Sequence, residues 1–155
     1  MASEDLTRVL DEAEVSYELL PHAHTERATD EAKALGVDPT DVAKTLVVTG
    51  PDGNVRAVVP ASERLDLHKL ADACGVARGE IELAAEDDLG RDYPAFELGA
   101  VPPVGGPSDR VVVDRRVTER DSVVFEAGSH DESVRTASAD LVRAAGAEVA
   151  DISLD

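Results

Sequence analysis

With 155 residues the chain has the size of one compact domain with a core of its own. Hydrophobic residues make up 43% of it, mostly Val, Ala and Leu, with no Trp and only two Phe and two Tyr, which predicts an aliphatic core. No apolar run nears the roughly 20 residues of a membrane span. The start Met1-Ala2-Ser3-Glu4-Asp5 lacks the basic and apolar regions of a signal peptide, so a cytoplasmic location is the default and no membrane partner is expected. The single Cys74 cannot form an internal disulfide, and no Cys/His cluster has zinc spacing, so neither a metal nor another cofactor is expected.

Charge is the unusual feature. There are 33 acidic residues against 15 basic ones, a formal net charge of −18, and twelve of the basic residues are arginine. The acids run along the whole chain as a solvated shell. The composition resembles that of proteins from salt-loving organisms, where self-repulsion is screened because the Debye length falls to about 3 Å at 1 M. Such a charge lowers the standing of nucleic acid as a partner without excluding it, since a local pocket can be basic on an acidic globule. DNA is not expected.

Taken in order, Ser3 to Ala13 reads as a helix capped by Ser3, with Leu6, Val9, Leu10 and Ala13 at helical spacing. Val15 to Leu20 reads as a strand ended by Pro21. His22 and His24 follow, but no third ligand lies at a telling spacing, and loop histidines so placed are solvated or bonded to backbone. Thr29 is the expected N-cap of the next helix, with Ala32 and Leu35 inward and Gly36 stopping it. Pro39 to Val42 forms a short turn of helix. It delivers the chain into Asp41-Val42-Ala43-Lys44-Thr45-Leu46-Val47-Val48-Thr49, an apolar strand entered through one of only three lysines. Asp52-Gly53 then predicts a hairpin turn before a second strand, Val55 to Val59. Two readings of Lys44 stand side by side: a snorkelling lysine with its ammonium in water, or a functional group held in place by the hairpin.

An amphipathic helix runs from about Asp66 to Gly75, with Cys74 as a small core residue. Glu80 to Leu83 reads as a short strand and Ala84 to Leu89 as a helical turn before Gly90. The stretch Gly99-Ala100-Val101-Pro102-Pro103-Val104-Gly105-Gly106-Pro107 holds three glycines and three prolines, so it is a loop, stiffened by proline and opened to close backbone approach by glycine. It is neither a Walker loop nor a Rossmann glycine pattern. Arg110 to Asp114 and Ser122 to Glu126 are strands. Ala127-Gly128-Ser129-His130 follows at the end of the second, where a histidine is placed to enter a cleft. Ser133 to Thr136 is a short strand, Ala137 to Ala145 a helix ended by Gly146, and Glu148 to Ile152 a last strand or tail.

Lys44 at its apolar strand, Gly99-x-x-x-Pro103-x-Gly105 and Gly128-x-His130 stand in a definite order, with His22 and Thr29-x-Glu31-Ala32 upstream. This set resembles the YbaK family of aminoacyl-tRNA deacylases, whose domain prolyl-tRNA synthetases also carry as an editing insertion. The resemblance covers about Tyr17 to Leu141. It implies a mixed α/β fold, residues 1–155 forming a single domain with a curved, largely antiparallel sheet flanked by helices. It also implies hydrolysis of the ester joining a wrong amino acid to the 3′ end of tRNA, commonly alanine or cysteine on the proline tRNA. The implied partners are the aminoacyl-tRNA 3′ end and an aminoacyl-tRNA synthetase. Carried over by motif, Lys44 and His130 are the catalytic candidates, and His22, Thr29, Gly99, Pro103, Gly105 and Gly128 the substrate-binding ones. The position after Pro103, often aromatic in the family, is Val104 here.

The chemistry is compatible with that resemblance. An aminoacyl ester is already activated, so the protein mainly positions water and stabilises an oxyanion. Backbone N–H groups of the Gly99–Gly105 loop suit the developing charge, Lys44 suits a 3′-terminal phosphate or ribose, and His130 suits shaping the pocket or ordering the water. A pocket of Val, Ala and Pro favours a small side chain by shape. The rival reading is a non-catalytic binding module that uses the same cleft for a nucleotide, a tRNA end or a protein partner.

Overall fold

The structure, a computed structural model, describes all 155 residues. In chain order its elements are α1 (Glu4–Glu12), β1 (Tyr17–Pro21), α2 (Ala28–Leu35), β2 (Ala43–Gly50), β3 (Gly53–Pro60), α3 (Leu67–Cys74), β4 (Glu82–Leu83), α4 (Glu86–Asp92), β5 (Arg110–Asp114), α5 (Arg115–Thr118), β6 (Ser122–Ser129), β7 (Glu132–Ala137), α6 (Ser138–Ala145) and β8 (Glu148–Ala150). Single turns of 3-10 helix lie at Pro39–Asp41 and Arg78–Glu80.

The two apolar runs around the Gly50–Gly53 turn pair antiparallel as β2 and β3, with Gly50 opposite Gly53 and Lys44 opposite Val59. The two turn residues are therefore Pro51 and Asp52, and Gly53 opens β3. Around this hairpin a five-stranded sheet is ordered β4-β2-β3-β5-β8, with β3, β5 and β8 parallel. A second, three-stranded sheet is ordered β1-β7-β6 and is antiparallel throughout. The expected mixed α/β class is therefore present, and four of the six strand pairings are antiparallel. The strands divide into two sheets where one was expected. A parallel bridge from Val42 to Val124 brings the start of β2 against β6.

Alternation in the strands sends apolar side chains both ways, which builds two main cores. One joins Leu6 and Leu10 of α1 and Leu141 of α6 to Val58, Val113 and Phe125 of the sheets. The other joins Leu70 and Ala71 of α3 to Val48, Ala57, Val59 and Ile152. Each of these leucines is fully buried, which stabilises the fold by about 1.5–3 kcal/mol per side chain. Asp66 caps α3 by accepting from the backbone N–H groups of His68 and Lys69.

Several boundaries differ from expectation. Thr29 is exposed inside the first turn of α2; the N-cap position is Arg27, which makes no side-chain cap bond. Helix α4 runs through Gly90, and the first strand begins at Tyr17. β6 continues past Glu126 to Ser129 through a register shift, so His130 lies in the two-residue turn joining β6 to β7.

Candidate active site

Beyond β3, the hydrogen-bonding side of β2 is only partly covered. β4 pairs with Val48 and Thr49, Ala84 donates its N–H to the Val47 carbonyl, and Val42 bridges β6. Between these contacts Ala43 to Leu46 face a hollow of about 160 Å³, whose far side is Gly99, Val101, Glu26, Glu31 and Glu126. Lys44 is half-buried here and no group in the chain hydrogen-bonds its ammonium. Burial lowers its pKa, the nearby Arg64 lowers it further, and Glu63 partly opposes both. An apolar hollow of about 210 Å³ continues from it, sharing Thr45, Leu46, Gly99 and Val101 and adding Val47, Leu83, Ala84 and Leu89.

His130 is only 5% exposed and is held on two sides by the segment before Gly99. Its backbone N–H donates to the Glu97 carboxylate at 2.7 Å, and its Nε2 lies 2.8 Å from the Leu98 carbonyl oxygen. A carbonyl only accepts, so Nε2 carries the hydrogen. The other ring nitrogen, Nδ1, has no hydrogen-bond partner and lies 3.6 Å from the Glu126 carboxylate. Gly99 packs directly over this ring, and its φ of +83° is the conformation that calls for glycine there. Gly128 has φ +85°, and a Cβ on it would sit 2.8 Å from the Phe96 ring and the Ser3 side chain, so the shifted end of β6 cannot carry a larger residue. The N–H groups of Gly99 and Val101 have no acceptor within the chain.

The hollow is rich in carboxyl groups. Glu126 is pushed up to about 9, first by burial and then by repulsion from Glu31, Glu97 and Glu26. Burial also raises Glu31, which is 1% exposed. The Ser133 hydroxyl bonds the Glu31 carboxylate, and His22 Nε2 lies 2.9 Å from that hydroxyl, making a continuous line from His22 through Ser133 to the hollow.

Lys44 and Gly99 thus line one hollow, with His130 beneath Gly99 and His22 linked in through Ser133 and Glu31. Gly128 stands behind, against Phe96. Thr29 does not line the hollow. Pro103 and Gly105 are also elsewhere: they border a separate hollow beside α1, and a Cβ on Gly105 would come within 3.1 Å of the Leu6 Cα. That end of the loop is held by Arg56, whose guanidinium donates to the carbonyls of Pro102 (2.7 Å), Gly105 (2.6 Å) and Pro107 (3.0 Å) and to the Asp109 carboxylate (3.0 Å).

Residues 22–144 match the family model described as the aminoacyl-tRNA editing domain. The chain belongs to that family. It is 28% identical over 109 residues, 70% of its length, to a proline–tRNA ligase of Thermosipho melanesiensis. It is 33% identical over 102 residues, 64% of its length, to the multifunctional Ser/Thr-tRNA deacylase ProXp-y of Escherichia coli. It spans 19% of the first relative and 59% of the second, less than two thirds of either. Among solved structures, a candidate trans-editing enzyme for prolyl tRNA synthetase superposes with a TM-score of 0.84 at 26% identity, covering 100% of both chains. A hypothetical protein superposes with a TM-score of 0.88 at 27% identity, covering 97% of this chain and 100% of the other.

In this editing domain, sequence reasoning missed Glu126 at the hollow, Arg64 near Lys44 and Arg56 behind the loop. Two of them left a signal. Arg56 and Glu126 are lone charges inside the apolar runs Val55-Arg56-Ala57-Val58-Val59 and Val123-Val124-Phe125-Glu126-Ala127, and a charge in a buried strand needs a partner or a purpose. No three His, Cys, Asp or Glu side chains converge as metal ligands, and no helix is long and apolar enough to cross a membrane.

Proposed function

We propose that residues 1–155 act as one aminoacyl-tRNA deacylase domain that hydrolyses the ester of a small amino acid at the tRNA 3′ end. Alanine or cysteine on the proline tRNA is the first choice of substrate, and prolyl-tRNA synthetase is the synthetase partner that the Thermosipho relative suggests. The observation that carries the reading is the meeting, in one small hollow, of a half-buried lysine without a partner and loop N–H groups without acceptors.

In this mechanism Lys44, with Arg64 beside it, holds the 3′-terminal phosphate. A water oxygen attacks the ester carbonyl carbon, and the carbonyl oxygen gathers negative charge against the N–H groups of Gly99 and Val101. The bond to the ribose oxygen then breaks as that oxygen takes up the proton the water gives up, releasing the amino acid and the tRNA hydroxyl. His130 is a positioning residue: its Nε2–H, committed to the Leu98 carbonyl, fixes the backbone that leads into Gly99. The same commitment removes Nε2 as a base. The hollow is small, so bulky side chains are refused by shape, while small ones differ by only about 1–3 kcal/mol per methylene.

Serine or threonine is a second reading with one observation in its favour. The Thr45 hydroxyl is buried at the hollow without a hydrogen-bond partner, and a substrate hydroxyl would satisfy it. The Escherichia coli relative's name points the same way.

The test is deacylation of alanyl, cysteinyl, seryl, threonyl and prolyl charges on the proline tRNA in molar potassium chloride, with wild type and Lys44→Ala. We expect hydrolysis of a small amino acid, lowered roughly a hundredfold or more without the lysine. No hydrolysis by a folded protein, or full activity in Lys44→Ala, overturns the reading.

A further inference from the structure

We propose that the Glu126 carboxyl binds the α-ammonium group of the aminoacyl ester, so that the domain selects esters carrying a free α-amine. The inference rests on the deacylase reading of the same hollow.

Glu126 lines the hollow with its side chain 13% exposed, and no N–H or O–H of the protein donates to its carboxyl. His130 Nδ1 lies 3.6 Å from it, itself buried and without a partner. The buried Nδ1 and the Glu126 carboxyl therefore stand beyond hydrogen-bond distance of each other, and nothing else in the chain bonds either. An orphaned buried polar atom is uncommon in a native interior, and beside a hollow it marks a place where a ligand supplies the donor to the carboxyl.

The surrounding charge gives that donor its sign. Glu26 and Glu31 line the hollow beside Glu126, and the cationic side chain among the lining residues is Lys44. The repulsion among these carboxyls, which helps push Glu126 upward, is relieved by a cation. The hollow is thus lined by one cation, Lys44 on β2, as one part and by three carboxyls, Glu26, Glu31 and Glu126 from other segments, as the other. An aminoacylated 3′ end carries a phosphate and an ammonium on one short scaffold and matches both parts. A peptidyl or N-acylated ester lacks the ammonium and does not.

The test compares two stable amide analogues, 3′-alanylamino-3′-deoxyadenosine and its lactyl counterpart, in which a hydroxyl replaces the ammonium. Binding to wild type and Glu126→Gln is measured by calorimetry in molar potassium chloride, alongside hydrolysis of alanyl-tRNA and lactyl-tRNA. Wild type is expected to bind the alanyl analogue about ten- to a hundredfold more tightly, the range for a hydrogen bond to a charged group. Glu126→Gln is expected to bring that ratio close to one in a protein that melts no lower. A merely structural role for Glu126 would weaken both analogues alike and leave the ratio intact. Equal binding by wild type, or an undiminished preference in Glu126→Gln, overturns the inference. If alanyl-tRNA and lactyl-tRNA are hydrolysed at the same rate, the ammonium site fails while the deacylase reading stands. Glu126-dependent preference for the alanyl amide without hydrolysis of any aminoacyl-tRNA has the reverse meaning.

Discussion

The loop from Gly99 to Asp109 has two ends, and buried charge is treated oppositely at each. At the Arg56 end the residue is 1% exposed and every nitrogen of its guanidinium donates, to three carbonyls and to Asp109. Asp109 also accepts from the Tyr93 hydroxyl, whose ring lies 5.1 Å from the guanidinium carbon. At the Gly99 end, Lys44, the Glu126 carboxyl, His130 Nδ1 and the Thr45 hydroxyl lack hydrogen-bond partners. A saturated network fixes shape, and an unsaturated, more open one keeps its capacity for something from outside. The loop is therefore anchored by one end so that the other end can present its backbone.

Removing a charge separates the two ends most sharply. Arg56→Ala leaves Asp109 and three loop carbonyls without their donor, and should cost about 3–5 kcal/mol in denaturant unfolding. Lys44→Ala takes away a cation that burial already disfavours, and should change stability by no more than about 0.5 kcal/mol. Equal destabilisation by the two substitutions would show that both ends serve the fold alone.

Glu126→Gln sharpens the contrast through pH. The carboxyl ionises near its usual 4.5 in the unfolded chain and at about 9 in the folded one. Between those values the unfolded state has released a proton that the native state still holds, so Glu126 lowers stability progressively as pH rises through the window. Glutamine does not ionise and removes that slope. The variant should therefore be more stable than wild type by about 1–3 kcal/mol at pH 7, with the gain gone at pH 4. Urea unfolding at both pH values checks this, and a gain of the same size at each would mean that Glu126 is charged in the native state.

The same contrast explains what the sequence disclosed. The β2–β3 hairpin was legible because alternating apolar residues and a turn signal agree, and the ends of α2, α3 and α6 were legible at Gly36, Gly75 and Gly146. Lys44 was legible because a lysine entering an apolar strand is rare in this chain. The loop was legible as a loop, but its division was not, since that depends on Arg56 reaching across from β3. Pro103 and Gly105 were grouped with Gly99 by the family motif, while packing against α1 turns them to another side. Glu31 was legible only as part of the Thr29-x-Glu31-Ala32 motif, and only the fold shows it buried behind Ser133. Thr29 misled for a related reason: cap propensity is local, whereas the start of α2 is set by where its buried face begins.

Salt should produce the smallest effect and act on the surface that surrounds both ends. With 33 acids against 15 bases, most carboxylates have no cation to pair with. Three of the existing pairs, Arg8–Asp5, Arg91–Asp88 and Arg143–Asp140, are i,i+3 contacts near the surface worth a few tenths of a kcal/mol each. Screening therefore removes more repulsion than attraction as the Debye length falls from about 10 Å at 0.1 M to 3 Å at 1 M. The melting temperature should rise by several degrees between dilute buffer and molar potassium chloride. The Arg56 cluster, being buried, should retain its contribution at both salt concentrations, so Arg56→Ala should cost the same in each. A melting temperature flat across that range would mean that the acidic shell is already neutralised by its own geometry, and that −18 overstates the field an incoming anion meets.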